Sequence, residues 1–299
     1  MTHADLVEAG GGVHAAIARP DRLAVGNAAI VDLGGETLVV DTHISFSAAR
    51  ELGEAAEEAT GRPASLVFNT HWHADHVLGN AQFAGSTIVS TTRTRELIAT
   101  VGVERLRSRL DALEEELPAE IERLRAAGDQ EGARLLEREA PELRTVTHRL
   151  PDETFEQERD FGRARALTYG GGHTESDAFL LVPEAGVLVA GDLVVVAMQP
   201  WTGHGDPRSW AEILDRMLEL DWDTCVPGHG PVCGRDVLPP LRDYQLALDE
   251  AVRGGDPEPE LPAEFSDWSG PEMWEVNISA LREASRRAGA RRRARRPAR

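Results

Sequence analysis

His71-Trp72-His73-Ala74-Asp75-His76 places four side chains able to bind a metal within six residues. The segment directly follows the apolar, β-like run Ala64-Ser65-Leu66-Val67-Phe68. The cluster therefore sits where a strand ends and the chain turns. Residues two apart in an extended segment point the same way, so His71 and His73 can grip one ion together. Asp75 and His76 follow the turn and point elsewhere, which suits a second ion beside the first.

The same arrangement recurs downstream. Gly171-Gly172-His173-Thr174 follows the strand-like run Ala164 to Tyr169. Val187-Leu188-Val189-Ala190-Gly191-Asp192 is an apolar strand ending on a carboxylate, and Cys225-Val226-Pro227-Gly228-His229-Gly230 ends on a histidine. Glycine lets the backbone turn sharply and approach an ion without a Cβ in the way. Five of the ten histidines in the chain fall in these sites.

The ordered set His71-x-His73-x-Asp75-His76, Gly-His173, Gly-Asp192 and Gly-His229 resembles the metallo-β-lactamase superfamily over about residues 10–235. Asp41, at the end of the strand-like Glu36 to Val40, matches the superfamily's opening aspartate, which supports the site without binding metal. The resemblance implies an α/β four-layer αβ/βα sandwich. It also implies one ion held by His71, His73 and His173, another by Asp75, His76 and His229, and Asp192 bridging them. Nitrogen and oxygen ligands without cysteine suit Zn²⁺, with Fe or Mn as alternatives, and the preponderance of imidazole makes two Zn²⁺ the default.

Bulk composition narrows the function classes. With 41% apolar and 28% charged residues, the 299-residue chain has the make-up of a soluble globular protein. No apolar run approaches the roughly 20 residues of a membrane span, and the N-terminal residues lack a secretory pattern, so a cytoplasmic location is expected. Cys225 and Cys233 cannot make a disulfide framework and are expected to be reduced. The net charge is −19, and residues 286–299 carry eight arginines and no acid, leaving −27 on residues 1–285. So acidic a body repels nucleic acid, whose affinity rests on phosphate neutralisation. The Arg-rich end is expected to be a disordered tail, and the sequon Asn277-Ile278-Ser279 is read as incidental.

Organisation follows from periodicity. Val13–Ala18, Ala28–Leu33 and Glu36–Val40 read as strands, with a hairpin at Gly34-Gly35. Ser45–Thr60 has helical spacing, a Ser cap and Gly61 as its stop. Ala64–Asn69 and Thr87–Ser90 are further strands. Residues 92–144 are charged, Leu-rich and helical, and Pro118, Gly128 and Pro141 divide them into about three short helices inserted between core strands. The insertion is read as decoration on the sandwich edge, or as a lid or dimer surface. β-Rich character is expected again from Arg144 to Asp192. Ser209–Leu218 reads as a Ser-capped helix, Leu238–Val252 as a Pro-led one, and Glu264–Arg287 as the last.

Two ions about 3.5–4 Å apart can share a hydroxide and aim it at a carbonyl or phosphoryl centre. No Gly-x-Ser-x-Gly nucleophile motif is present. Asp75 is both a ligand and a candidate proton carrier, and Asp41 and Asp177 are candidate orienters of ligand histidines. Trp201 and His204, in the loop Gln199–Pro207, are candidates for a pocket wall, and Trp72 is expected to pack under the metal loop. The expectation is a hydrolase of a small activated acyl substrate, a thioester, ester or lactone. The glyoxalase-like and lactonase-like branches that the chain resembles keep an aspartate where Asp192 stands. The alternatives are β-lactam hydrolysis and a mononuclear iron oxidoreductase of the persulfide-dioxygenase type. A phosphodiesterase is disfavoured because the pocket loop lacks Arg or Lys clusters.

Overall fold

The computed structural model describes residues 1–294 apart from 23, 144 and 146. Its first sheet holds seven strands in sequential order: β1 (Ala4–Gly10), β2 (Val13–Ala18), β3 (Ala28–Asp32), β4 (Thr37–Val40), β5 (Leu66–Phe68), β6 (Thr87–Thr91) and β7 (Glu153–Phe155). Hairpin connections make β1 to β4 antiparallel, whereas β4 to β7 run parallel. Parallel neighbours need a crossover, and α1 (Phe46–Thr60) supplies the one between β4 and β5. The second sheet combines β8 (Glu158–Asp160), β9 (Arg165–Gly170), β10 (Asp177–Val182), β11 (Val187–Val195) and β12 (Thr224–His229) in the order β12-β11-β10-β9-β8. Only β11 and β12 pair in parallel, across α6 (Pro207–Leu218).

Alternation along the strands builds the layers. Val31, Leu38, Val40 and Phe68 of the first sheet meet Leu180, Val182, Val187 and Val189 of the second. The intervening residues Ile30, Val39 and Val67 turn the other way, onto Ala49, Leu52 and Ala56 of α1. On the far face of the second sheet, Phe179, Leu181 and Leu188 pack on Trp210, Ile213 and Leu214 of α6 and on Leu241 of α7 (Leu238–Arg253). Helix, sheet, sheet, helix is the four-layer sandwich. Helix α1 has the predicted ends: Ser45 Oγ accepts from the Ala48 amide, and Gly61 closes the helix at φ 74°.

The insertion lies between β6 and β7 as expected, but it is built differently. It comprises α3 (Thr92–Leu97), a wide turn at Ile98–Gly102, α4 (Val103–Ala126) and α5 (Gln130–Leu143). Pro118 and Pro141 lie inside α4 and α5 rather than between helices, and of the three expected breaks only Gly128, at φ 81°, is one. Leu124, Ala133 and Leu136 pack together with Leu117 and Ile121, so burial of an apolar stripe outweighs the hydrogen bond that each proline removes. Buried polar contacts tie α5 to the sandwich. His3 bonds Glu51 of α1 at 2.8 Å and Glu139 of α5 at 3.2 Å, and Ser47 also donates to Glu139.

Other boundaries shift. Strand structure resumes at β7 (Glu153) rather than at Arg144, which lies outside the described residues. Helix α6 starts at Pro207, with Asp206 rather than Ser209 as its cap, because the Asp206 carboxylate accepts the Ser209 amide at 2.8 Å and Pro suits the first helical position. The last helix, α8 (Met273–Ala294), begins after Gly270-Pro271 instead of at Glu264. It carries residues 286–294 of the expected tail as helix, and 295–299 lie outside the described residues. Strand β1, exposed along much of its length, had no apolar pattern to announce it. Cys225 and Cys233 are free thiols on facing backbone that exchange two hydrogen bonds. Among the described residues no helix is long and apolar enough to cross a membrane.

Candidate metal centre

The strand ends expected to carry ligands converge at one edge of the sandwich. β5 leads through Thr70 into His71 and His73, the short helix α2 (Ala74–Val77) carries Asp75 and His76, and the turn between β9 and β10 carries His173. Asp192 sits within β11, and His229 ends β12. Three groups result, each with its ligand-type atoms within 4.8 Å of one another: His71, His73, His173 and Asp192; Asp75, His76 and His229; and Asp41, His71 and His76.

Asp192 divides its oxygens between the first two groups. Its Oδ2 lies 3.2 Å from His173 Nε2 and 3.7 Å from His71 Nε2. Its Oδ1 lies 3.0 Å from His76 Nε2 and 3.4 Å from His229 Nε2. Asp75 Oδ2 completes the second group, 3.3 Å from His229 Nε2 and 3.5 Å from His76 Nε2. Tetrahedral ligands at about 2.05 Å from Zn²⁺ are about 3.4 Å apart, so these separations fit atoms that could bind an ion directly.

Neighbouring hydrogen bonds assign the free nitrogen of three rings. Thr70 donates its hydroxyl hydrogen to Asp41 Oδ2 at 2.7 Å, so Thr70 Oγ1 accepts from His71 Nδ1 at 3.0 Å, leaving His71 Nε2 to face the centre. Asp41 Oδ2 also takes His76 Nδ1 at 2.9 Å, which turns His76 Nε2 inward. Trp201 Nε1 can only donate, and it donates to His204 Nδ1 at 3.3 Å. That nitrogen is therefore an acceptor, and it takes the Nε2 hydrogen of His73 at 2.8 Å. The lone pair of His73 then lies on Nδ1, 2.9 Å from His173 Nε2. Such outer partners set the tautomer and orientation of metal-binding histidines.

The donor set fits a divalent cation. His71 Nε2, His76 Nε2 and Asp192 Oδ1 are buried without a hydrogen-bond partner, a costly state unless something charged satisfies them. Burial, reinforced by the neighbouring histidines, holds His71 and His73 well below the usual histidine pKa, in the neutral form that a metal needs. Against burial, Asp192 and Asp75 raise His76 well above that range and His229 to about 10. Burial likewise opposes, but the charges of His76 and His229 override it, in lowering Asp75. Protons on two histidines thus balance carboxylates that a cation would balance in their place.

Asp177 supports the turn rather than the ring of His173. It accepts the Gly172 amide at 2.8 Å, the Thr174 amide at 2.9 Å and the Thr174 hydroxyl at 2.8 Å. Trp72 is buried under the loop against Val77, Leu97 and Ile98, and it also borders a cavity with Trp201 and His204. Sequence reading did not single out Thr70 or Gly26. Thr70 precedes His71 directly, which was a usable signal. Gly26 gave none: a Cβ there would lie 2.6 Å from His76 Nε2, a closeness created by tertiary packing.

Comparison with known proteins places this geometry. Residues 21–229 match the family model described as the metallo-beta-lactamase superfamily. Among solved structures, the metallo-beta-lactamase FIM-1 from Pseudomonas aeruginosa in its mono-zinc form is similar at a TM-score of 0.60 and 16% identity, over 82% of this chain and 96% of that one. The metallo-beta-lactamase from Pontibacter korlensis is similar at 0.57 and 19%, over 81% and 99%, and that from Hirschia baltica at 0.58 and 16%, over 81% and 97%. At such identities the likeness shows the fold.

Proposed function

Because the chain belongs to the metallo-beta-lactamase superfamily, we propose that it is a dinuclear zinc hydrolase acting on an activated acyl bond: a thioester, ester or lactone. The observation that carries this reading is Asp192, whose two oxygens face two separate groups of ligand-type atoms. A mononuclear iron oxidoreductase would leave Asp75, His76 and His229 without a task. Bound zinc would supply Lewis acidity and a water acidic near neutral pH.

The protein's own groups do the rest. His71, His73 and His173 act as one ligand set, and Asp75, His76 and His229 as the other. Asp75 also borders the adjoining cavity, so its carboxylate is placed to carry a proton to a departing thiolate or alkoxide. Thr70 and Asp41 hold the rings of His71 and His76, and Trp201 with His204 holds that of His73. Among the described residues no cluster of Arg or Lys lines the cavity, which favours acyl over phosphodiester substrates.

The test couples elemental analysis of the purified protein to turnover of matched thioester, ester, lactone, β-lactam and phosphodiester substrates. Close to two zinc ions per chain and a dominant acyl-hydrolase rate are expected. One firmly bound ion at saturation, or a phosphodiesterase rate far above every acyl rate, overturns the reading. A dominant β-lactam rate would assign the same centre to antibiotic hydrolysis.

A further inference from the structure

A cavity of about 240 Å³ opens beside His73 and Asp75, bounded by Trp72, Gly102, Arg105, His148, Trp201 and His204. Its walls come from distant parts of the chain: the metal loop, the start of α4, the segment before β7 and the loop before α6. The insertion therefore contributes to this wall directly, through Gly102 and Arg105.

The chemistry of the lining is specific. Among the described residues bounding the cavity Arg105 is the one Lys or Arg, and its guanidinium carbon lies 5.7 Å over the Trp72 ring. Among the described residues no carboxylate pairs with it. A guanidinium laid against an aromatic face keeps its planar fork of donors available to a carboxylate. Ring nitrogens set in the wall add to the donor supply: Trp72 Nε1 and His204 Nε2 have no hydrogen-bond partner. With Nδ1 of His204 acting as an acceptor, its Nε2 carries the hydrogen. Indole and imidazole faces supply the remaining surface, with ring centroids 5.1 Å apart for Trp72 and His204 and 5.4 Å for Trp201 and His204. Among the described residues Asp75 is the only acid on the lining.

We propose that this cavity binds a planar, carboxylate-bearing group, with Arg105 as its anchoring cation and the rings of Trp72, Trp201 and His204 as its walls. As a statement about substrate it rests on the hydrolase reading; as a statement about binding it does not. It directs the acyl-substrate search toward aromatic or similarly flat acids and away from neutral aliphatic lactones. A single guanidinium also favours a carboxylate monoanion over a phosphate dianion, which draws on several cations.

The experiment uses zinc-loaded full-length wild type, Arg105→Leu and Arg105→Lys, titrated calorimetrically with benzoate, neutral benzamide and phenyl phosphate. Wild type is expected to bind benzoate at least about tenfold more tightly than benzamide, a difference of about 1.4 kcal/mol. Arg105→Leu should erase that preference and Arg105→Lys retain part of it, with metal content unchanged in both. Retention of the full preference in Arg105→Leu would mean that the zinc holds the carboxylate, and it overturns the assignment. So does tighter binding of phenyl phosphate than of benzoate. A parallel assay compares aryl thioesters with and without a para-carboxylate: the preference for the acid should vanish in Arg105→Leu through KM. Arg105-dependent benzoate binding without turnover of any ester would sink the hydrolase reading and leave the binding site standing.

Discussion

Gly228 makes room for Asp192: a Cβ on residue 228 would overlap Asp192 Oδ1 and lie 2.7 Å from the Asp192 amide nitrogen. Two backbones approach here so closely that only glycine fits, and the atom it spares belongs to the carboxylate shared by both ligand groups. Gly228→Ala is therefore expected to displace Asp192 or part β11 from β12. A stability loss of about 1–3 kcal/mol, the usual cost of overpacking a well-filled interior, should accompany a fall in bound metal. Thermal unfolding and elemental analysis measure the two effects, and full metal occupancy in this variant would contradict the role given to the close approach.

The relay from Trp201 through His204 to His73 makes a separate prediction. Trp201→Phe removes the donor that keeps His204 Nδ1 free of hydrogen. His204 can then donate to His73 Nε2, which drives the His73 hydrogen onto Nδ1, where a metal must compete with it. Zinc affinity, measured by chelator competition, should fall about 10–100-fold, the range for outer-sphere partners of ligand histidines. A change in KM with unchanged zinc affinity would instead make Trp201 a pocket wall only.

How much of this was legible beforehand depended on range. Val31, Leu38 and Val40 alternate with Ile30 and Val39, so the sheet faces can be read from a few consecutive residues. His71 to His76 announce themselves through density in the chain. Arg105 did not: it looks like any other arginine of a charged helix until the insertion folds over Trp72, 33 positions earlier in the numbering. Pro118 misled because local propensity marked a break that the packing of Leu117 and Ile121 overrides. Asn277, in the sequon read as incidental, is a buried structural amide, a role that no local pattern announces.

The tether of the insertion should depend on pH. His3 is raised above its ordinary 6.5: burial opposes this, but hydrogen bonds and charge from Glu139 and Glu51 prevail. Burial also opposes the shifts of the two acids, but the backbone amides of His3 and Thr2 and then the His3 ring bring Glu51 down to about 2, and His3, Ser47 and Arg138 lower Glu139. The His3 contribution is complete below 6.5 and is lost as pH rises through its raised pKa. The Glu51 contribution is complete above 4.5 and is lost as pH falls toward about 2. Protection of α5 amides in hydrogen exchange should therefore be greatest between about pH 4.5 and 6.5, and Glu139→Gln should flatten that dependence. A profile unaltered by the substitution would mean that apolar packing alone holds the insertion.

Asn277 clamps the pocket loop from α8. Its Oδ1 accepts the Thr202 amide and its Nδ2 donates to the Pro200 carbonyl, both at 2.8 Å and both buried. Asn277→Ala leaves two backbone groups without partners, at a cost of about 1–3 kcal/mol. Because the freed segment carries Trp201 and His204, KM should rise before stability limits the assay. An intact KM in a variant of lowered melting temperature would confine Asn277 to a structural part.

Asp75 tests the chemistry itself. It lies between His229 and His76 in the second ligand group and also borders the cavity where the acyl group is proposed to bind. Among the described residues no other carboxylate lines that cavity, so none of them can take over proton delivery to the leaving group from the cavity wall. Asp75→Asn preserves the shape of the side chain and one ligating oxygen while removing both the charge and the proton-carrying capacity. If Asp75 only held an ion, excess zinc should restore turnover. If it also carries the proton, kcat should remain about 10²–10⁴-fold down at full zinc occupancy, the range for general acid–base catalysis, and the deficit should shrink for substrates whose leaving group departs without protonation. A p-nitrothiophenolate ester, hydrolysed by Asp75→Asn almost as well as by wild type while an alkyl thioester is not, is the pattern expected. Equal deficits on both substrates at matched zinc content would remove Asp75 from proton transfer and leave it as a ligand.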